Sequence, residues 1–340
     1  MAVTIVKIAE HLGLSPPTVS HILNKRGRFR EETRQRVFQA ARELGYVPNG
    51  AARSMRNQRS RQIGILIKNN PDQRFRNVVA FETILGINEA LEQAGYIAVL
   101  VRVGDVRSNA DSRVFRERLL DGMIVVSAVP PDIEQLVEQV MPQCVWVDTN
   151  LWRPQRVIRR DERLAGRLAA TALADLGYKK LLWYGLPNAH GANHHYSLVD
   201  RLAGVRQVVK KHKLDLSSVL TSRKAVYHKP ELLTDYLRPE VGIIAYSTTY
   251  ARWLAHYAAS LGLCPGYDFG LVCCDDSHDL HRQWPGLSRT TFNRFGMGVR
   301  AGKMMLDVLH GKRVPSIRLR GRWSPGDTAL GPRKVPRPAP

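Results

Sequence analysis

Ile5, Ile8, Ala9 and Leu12 recur at i, i+3, i+4 and i+7, which lays four apolar side chains along one face of a short helix. This pattern limits the fold more tightly than any other, because Gly13 breaks it and a second pattern of the same period follows at once. Ser15 is placed to accept the first free N–H groups of that second helix. Pro16 suits its first position, where a missing donor costs nothing. Val19, Ile22 and Leu23 form the buried side, leaving Pro17, Thr18, Ser20, His21 and Asn24 outward. A third helix with Val37, Ala40, Ala41 and Leu44 would close a small core. Two short helices joined by a glycine turn, the second with a polar outer face, predict a helix-turn-helix whose second helix fits a DNA major groove. The alternative is a small helical bundle whose polar positions are merely solvated.

Charge favours the first reading. The chain of 340 residues carries a formal net charge of +21, which points to a polyanionic partner. Its first 61 residues hold twelve Lys and Arg, among them Arg28, against four Glu. Phosphate contacts from such a patch give affinity without regard to sequence, and that affinity falls steeply with salt. Only four cysteines occur, at 144, 264, 273 and 274, with no spacing that suggests a zinc site or redox motif. Reduced thiols in a cytoplasmic protein are expected. Nothing near Met1 reads as a signal peptide, and no apolar run approaches the roughly 20 residues that span a bilayer. No membrane partner is expected.

From Gln62 onward the period changes. Apolar runs at 63–67, 97–103, 123–126, 145–147, 181–184, 241–245 and 269–273 read as buried strands. Helical patterns lie between most of them, at 79–94, 112–119, 133–140, 163–176, 198–212 and 250–261, and another follows at 296–309. The fold class predicted is therefore α/β: an all-α head at the N-terminus, then parallel sheets flanked by helices. About ten strands over some 260 residues exceed one compact sheet, so two similar lobes are expected. The tail from Lys312 is basic, and four of its last nine residues are proline, which predicts an extended or disordered end.

Three consecutive stretches, TVSHILN, EETRQRVFQAARELGYVPN and ARSMRNQRS, resemble the start of the lactose/galactose-repressor family of bacterial transcription regulators. Later landmarks such as ALEQAGY, RERLLDGMIVV, DRLAGV and LVCCDD extend the resemblance over nearly the whole chain. It implies a head at 1–47, a hinge at 48–61, and a two-lobed periplasmic-binding-protein-like core at 62–325. The tail is then 326–340. The lobes of that fold are joined by three crossings, expected near Arg159, Thr291 and Gly321.

The resemblance also implies DNA contacts by Thr4, Ser15, Pro16, Pro17, Thr18, Ser20, His21, Asn24 and Arg28, and by Asn49, Ala52, Arg53 and Met55 of the hinge. In the family the hinge forms a helix only in the DNA-bound dimer, where an apolar side chain, here Met55, wedges into the minor groove. A flexible basic linker is the alternative. His21 stands where the family usually has Arg and can donate one bond to a guanine edge, not a bidentate fork. Pro17 is also unusual at its position.

For the core, the resemblance implies an effector cleft at the carboxyl ends of the strands, lined by Asp148, Asp161, Ser197, Arg201, Ser247, Asp275 and Arg294. Arg201 can fork two bonds to vicinal hydroxyls or a carboxylate. Arg201 and Asp275 read equally well as structural salt-bridge partners. Ser247 and Thr248 replace an Asn-Asp pair common in the family, and Arg294 replaces a Gln. A lost carboxylate and a gained cation suggest an anionic or unusual sugar-like effector, or none. His190, His194 and His195 lack a carboxylate or thiolate at ligand spacing, so no metal is expected.

The function expected is a dimeric, effector-responsive regulator, most often a repressor, on a near-palindromic operator. A solute-binding protein with the same core is the alternative, against which the basic head argues. No phosphate-cradling glycine loop, serine elbow or paired Cys/His arrangement suggests an enzyme or a cofactor. Asp275 and Asp276 are adjacent, and strand alternation would point them to opposite faces.

Overall fold

The computed structural model describes residues 3–24, 26–47, 59–68, 78–103, 119–186, 195–221, 230–276 and 284–332. It divides into two compact units, 1–60 and 61–340. The hinge residues Asn49, Ala52, Arg53 and Met55, as well as His190 and His194, lie outside the described residues.

The first unit contains three helices, α1 (Ile5–Leu12), α2 (Pro16–Leu23) and α3 (Glu31–Glu43). Thr4 caps α1 by accepting from Lys7 N, and Gly13 ends it in the left-handed conformation at φ 65°, which a residue without Cβ adopts freely. Ser15 caps α2 by accepting from Thr18 N at 3.3 Å. Pro16 and Pro17 occupy the first turn of α2, where backbone N–H groups have no intrahelical acceptor and proline loses nothing. Ile8, Ala9, Val19, Ile22, Val37, Ala40 and Ala41 form the core.

The second unit holds two six-stranded sheets. The first has the order β11-β5-β4-β3-β1-β2, with β1 Gln62–Lys68, β2 Ile97–Val103, β3 Gly122–Val126, β4 Cys144–Val147, β5 Val157–Arg160 and β11 Ile317–Leu319. The second has the order β12-β10-β9-β8-β6-β7, with β6 Lys180–Gly185, β7 Asp215–Leu220, β8 Val241–Ala245, β9 Gly270–Cys273, β10 Ser288–Thr291 and β12 Arg322–Ser324. Pairing is parallel except between β10 and β12. Central strands such as β3, β4, β8 and β9 are buried at every position, as sheets covered on both faces require. The first sheet packs against α4 (Val78–Gln93) and α9 (Arg294–Leu309), with α5 (Pro131–Val140) on its other core. The second packs against α6 (Glu162–Asp175), α7 (Ser197–His212) and α8 (Thr248–Ser260).

The chain passes between the sheets at 160–162, 291–294 and 319–322. Residues 112–118 of one expected helix lie outside the described residues. The tail needs correction, because it does not begin at 326. Gly326 N donates to Ser288 Oγ at 3.0 Å, Leu271 N donates to the Thr328 carbonyl at 2.6 Å, and Ala329 is buried. These bonds tie the segment to β9 and β10, so the packed core runs past 325. Residues 333–340 are outside the described residues.

Helices α6 and α7 touch through glycine. A Cβ on Gly166 would lie 1.9 Å from the Arg201 carbonyl oxygen, and one on Gly204 2.1 Å from that of Arg163. Backbone cannot move aside as a flexible side chain would. Gly166→Ala is expected to force the helices apart at a cost of about 1–3 kcal/mol, measured as a lowered urea midpoint, and to displace Arg201 with its helix.

Candidate functional site

The head presents one face of α2. Pro17, His21 and Asn24 are exposed, as are Ser15, Pro16 and Arg28, while Thr18 and Ser20 are half-buried. Thr18 shares a 2.8 Å hydrogen bond with Ser15 Oγ, so its hydroxyl is partly committed to the cap. Asn24 Nδ2 donates to the Ser20 carbonyl at 2.7 Å and is held against the end of the helix. Thr4 is exposed at the cap of α1. His21 is the one long polar side chain in the middle of the face without such a tie among the described residues.

In the body, the carboxyl ends of β4, β5 and β9 and the amino ends of α6, α7 and α9 bring together three arginines and four carboxylates. Arg201 is 1% exposed. Its Nε donates to Glu162 Oε2 at 2.6 Å and its Nη2 to Glu162 Oε1 at 2.9 Å, the bidentate fork that guanidinium geometry favours. Nη2 also donates to Asp275 Oδ2 at 2.8 Å, and Nη1 to the Tyr246 carbonyl at 2.6 Å. Arg160 pairs with Asp148 and Glu162, each at 3.0 Å, and with Asp275 at 3.2 Å. Arg294 pairs with Asp275 at 2.5 Å and with Asp276. A single carboxylate, Asp275, thus receives three guanidinium groups.

Two sequence expectations change here. Asp275 and Asp276 do not diverge: β9 ends at Cys273, the pleat no longer applies, and both reach Arg294. Arg294 is only 2% exposed, and its added charge is spent on these two carboxylates. With three cations and four carboxylates, the cluster provides no free cation for an anionic effector. The remaining candidates have local partners. Asp161 accepts from Leu164 N at 2.9 Å and caps α6. Ser197 Oγ lies 2.8 Å from both His195 Nδ1 and the Tyr246 hydroxyl. Ser247 precedes α8 and makes no side-chain cap bond. Asp148, at φ 57°, accepts from the Tyr196 hydroxyl at 2.7 Å.

Arg160, Glu162 and Tyr196 were not singled out from the sequence. The run RRDE at 159–162, four charges at a strand-to-helix junction, was the signal available for the first two.

Burial would raise the Asp148 and Asp275 carboxyls. At Asp148 the charge of Arg160 outweighs it, helped by His195 and Tyr196, and at Asp275 the charges of Arg201, Arg294 and Arg160 do so. Both are held well below the usual carboxylate range. Asp276 moves the other way, because burial and the neighbouring Asp275 charge together outweigh Arg294. Buried Cys274 is pushed up to about 12 and Cys273 well above the usual range, so neither is a thiolate at neutral pH. The four cysteines are unpaired.

Folded Asp148 and Asp275 bind protons less readily than in the unfolded chain, so the stability they supply is present above the unfolded carboxylate value of about 4 and is lost as pH falls through and below it. Urea midpoints of the body should be insensitive to these two groups between pH 6 and 8 and fall on acidification from about pH 5 to 3.

Comparison with known proteins places this geometry. Residues 4–49 match the model of bacterial regulatory proteins of the lacI family, and residues 170–328 match a periplasmic binding protein-like domain. The first of these segments is a lacI-family DNA-binding head, and the second a periplasmic-binding-protein-like domain. Among lacI-family relatives, the ribose operon repressor of Bacillus subtilis (strain 168) is 27% identical over 319 residues, covering 90% of this chain and 91% of that relative. The transcriptional repressor PurR of Vibrio vulnificus (strain CMCP6) is 24% identical over 330 residues, covering 92% and 94%. In fold, the chain is similar to the lac repressor dimer bound to operator and the anti-inducer ONPF, with a TM-score of 0.79 at 20% identity over 97% of this chain and 100% of that one. It is also similar to a lacI-family regulator from Enterococcus faecium with bound ribose, with a TM-score of 0.65 at 18% identity over 80% and 100%. The lacI-family head is the three-helix unit, and the matched binding-protein domain contains α7, β9 and the residues from Arg201 to Arg294.

Proposed function

We propose that this protein is a sequence-specific transcription regulator of the lacI family, a repressor, that grips a near-palindromic operator as a homodimer and is modulated through the cleft of its body by a sugar or sugar derivative. It acts in the cytoplasm and catalyses no reaction. Among the described residues, no helix is long and apolar enough to cross a membrane. The observation that carries the reading is α2: a capped helix buried on Val19 and Ile22, with Pro17, His21 and Asn24 exposed beside half-buried Thr18 and Ser20. A helix of this kind enters a major groove with its amino-terminal residues at the base edges. One head reads few base pairs, so two heads related by a two-fold axis are needed for useful discrimination. Asn49, Ala52, Arg53 and Met55 would extend the contact into the minor groove.

Selection of bound duplexes from random DNA by the full chain tests this. A palindrome should emerge with half-sites spaced by about one helical turn, bound on the order of 10³-fold or more tighter than unselected DNA at physiological salt. Binding that is purely salt-sensitive, with no sequence recovered, would leave only a basic surface and refute the regulator.

A further inference from the structure

We propose that the cleft of this chain is fastened shut from within, by a clasp between His195–Tyr196 at the head of α7 and the Asp148–Asn150 segment after β4, so that the ligand-free body is already closed. Asp148 and Asn150 follow a strand of the first sheet, and Tyr196 precedes a helix packed on the second. Three polar bonds run between them, and a fourth reaches Tyr196 from the end of β5. The Tyr196 hydroxyl donates to Asp148 Oδ1 at 2.7 Å and accepts from Arg160 N at 3.0 Å. Tyr196 N donates to Asn150 Oδ1 at 2.8 Å, and His195 Nε2 lies 2.9 Å from the Asp148 carbonyl oxygen. The ring of Tyr196 is covered by the Arg159 guanidinium, 4.3 Å from its centroid. That guanidinium in turn donates to the carbonyls of Thr149 and Asn150.

Three features separate a clasp from incidental packing. First, the polar groups that Tyr196 offers across the cleft are satisfied by Asp148, Asn150 and the end of β5, so parting the lobes would leave half-buried donors to be resolvated. Second, Asp148 sits at φ 57°, a conformation a residue with Cβ holds only when its surroundings over-determine it. Its carboxylate and its carbonyl are both engaged. Third, each arginine on the floor beneath the clasp is already paired with the protein's own carboxylates, with Arg160 and Arg294 meeting Asp275 next to two of the crossings. In a two-lobed binding domain a ligand ordinarily supplies such bridging contacts and so closes the hinge; here side chains supply them. The regulatory consequence rests on the function proposed above. A ligand that also favoured the closed body would shift little, since only differential affinity moves an equilibrium. An effector of this chain must therefore open the clasp.

Hydrogen exchange on the full-length, ligand-free protein tests it. The segment 195–200, which includes the Tyr196 amide, should be protected at least 100-fold relative to unstructured peptide. In Tyr196→Phe, which keeps the ring over Arg159 but loses the hydroxyl, it should exchange at least tenfold faster while β8 stays protected. Unprotected exchange of 195–200 in the wild type beside a protected β8 would overturn the proposal, as would Tyr196→Phe exchanging at the wild-type rate. If that variant does not fold, the wild-type measurement and Asn150→Ala decide alone, with the same tenfold acceleration expected. Duplex selection on the same sample keeps the two questions apart, because loss of sequence preference refutes the regulator without altering the exchange result.

Discussion

Arg201→Met is expected to lower the unfolding free energy of the body by about 3–5 kcal/mol, read as a fall in the urea midpoint. Glu162 is fully buried and would keep only Arg160 as a cationic partner. Asp275 would lose one of its three guanidinium groups, and the Tyr246 carbonyl its donor. The size of the effect comes from the charges left behind, not from any large net value of the pair itself. Replacing both sides, as in Arg201→Met with Glu162→Leu, should therefore cost less than Arg201→Met alone. An exposed pair supplies the control: Arg163 lies 3.7 Å from Asp200 with a side chain 49% exposed, and Arg163→Met should cost less than about 1 kcal/mol. Equal losses for Arg163→Met and Arg201→Met would mean that burial does not govern this network.

The second large effect concerns DNA. On the function proposed above, His21→Ala would remove a base-edge donor from both heads of a dimer. At about 1–3 kcal/mol for each contact, the selected operator should be bound roughly 30- to 10⁴-fold more weakly. Because a base contact displaces no counterion, the salt slope should stay unchanged. Arg28→Gln should do the reverse, weakening all duplexes alike and reducing the slope by about one unit per head. The pair of variants thus separates groove reading from backbone attraction. A His21→Ala protein that keeps full discrimination would remove this side chain from the recognition surface. Both variants change exposed residues, so folding of the head should be untouched.

Much of the architecture could be read from the residues, and what could not was hidden for definite reasons. The central strands β3, β4 and β8 are continuous apolar runs because both faces of each are covered, and such runs are conspicuous. The strands that escaped notice sit at edges or crossings: β7 reads DLSSVL with most positions exposed, β5 ends in two arginines, and β11 and β12 span three residues each. The capped start of α2 was legible since capping is local, involving Ser15 and its neighbour three residues on. The ion network was not, because its partners lie far apart in sequence. Arg160 and Asp275 are separated by 115 positions, and no periodicity links them. Asp275 and Asp276 misled for a related reason, in that alternation holds only while the strand lasts.

Threading through the sheets has a consequence for synthesis. The head is complete once the nascent chain reaches Leu44, whereas the first sheet waits for β11 at Ile317–Leu319 and the second for β12 at Arg322–Ser324. Nearly the whole polypeptide must leave the ribosome before either half of the body can settle, so a finished DNA-reading module emerges well ahead of the part that would govern it. A ribosome stalled or a message truncated before codon 317 would release a head attached to two sheets that each lack an edge strand.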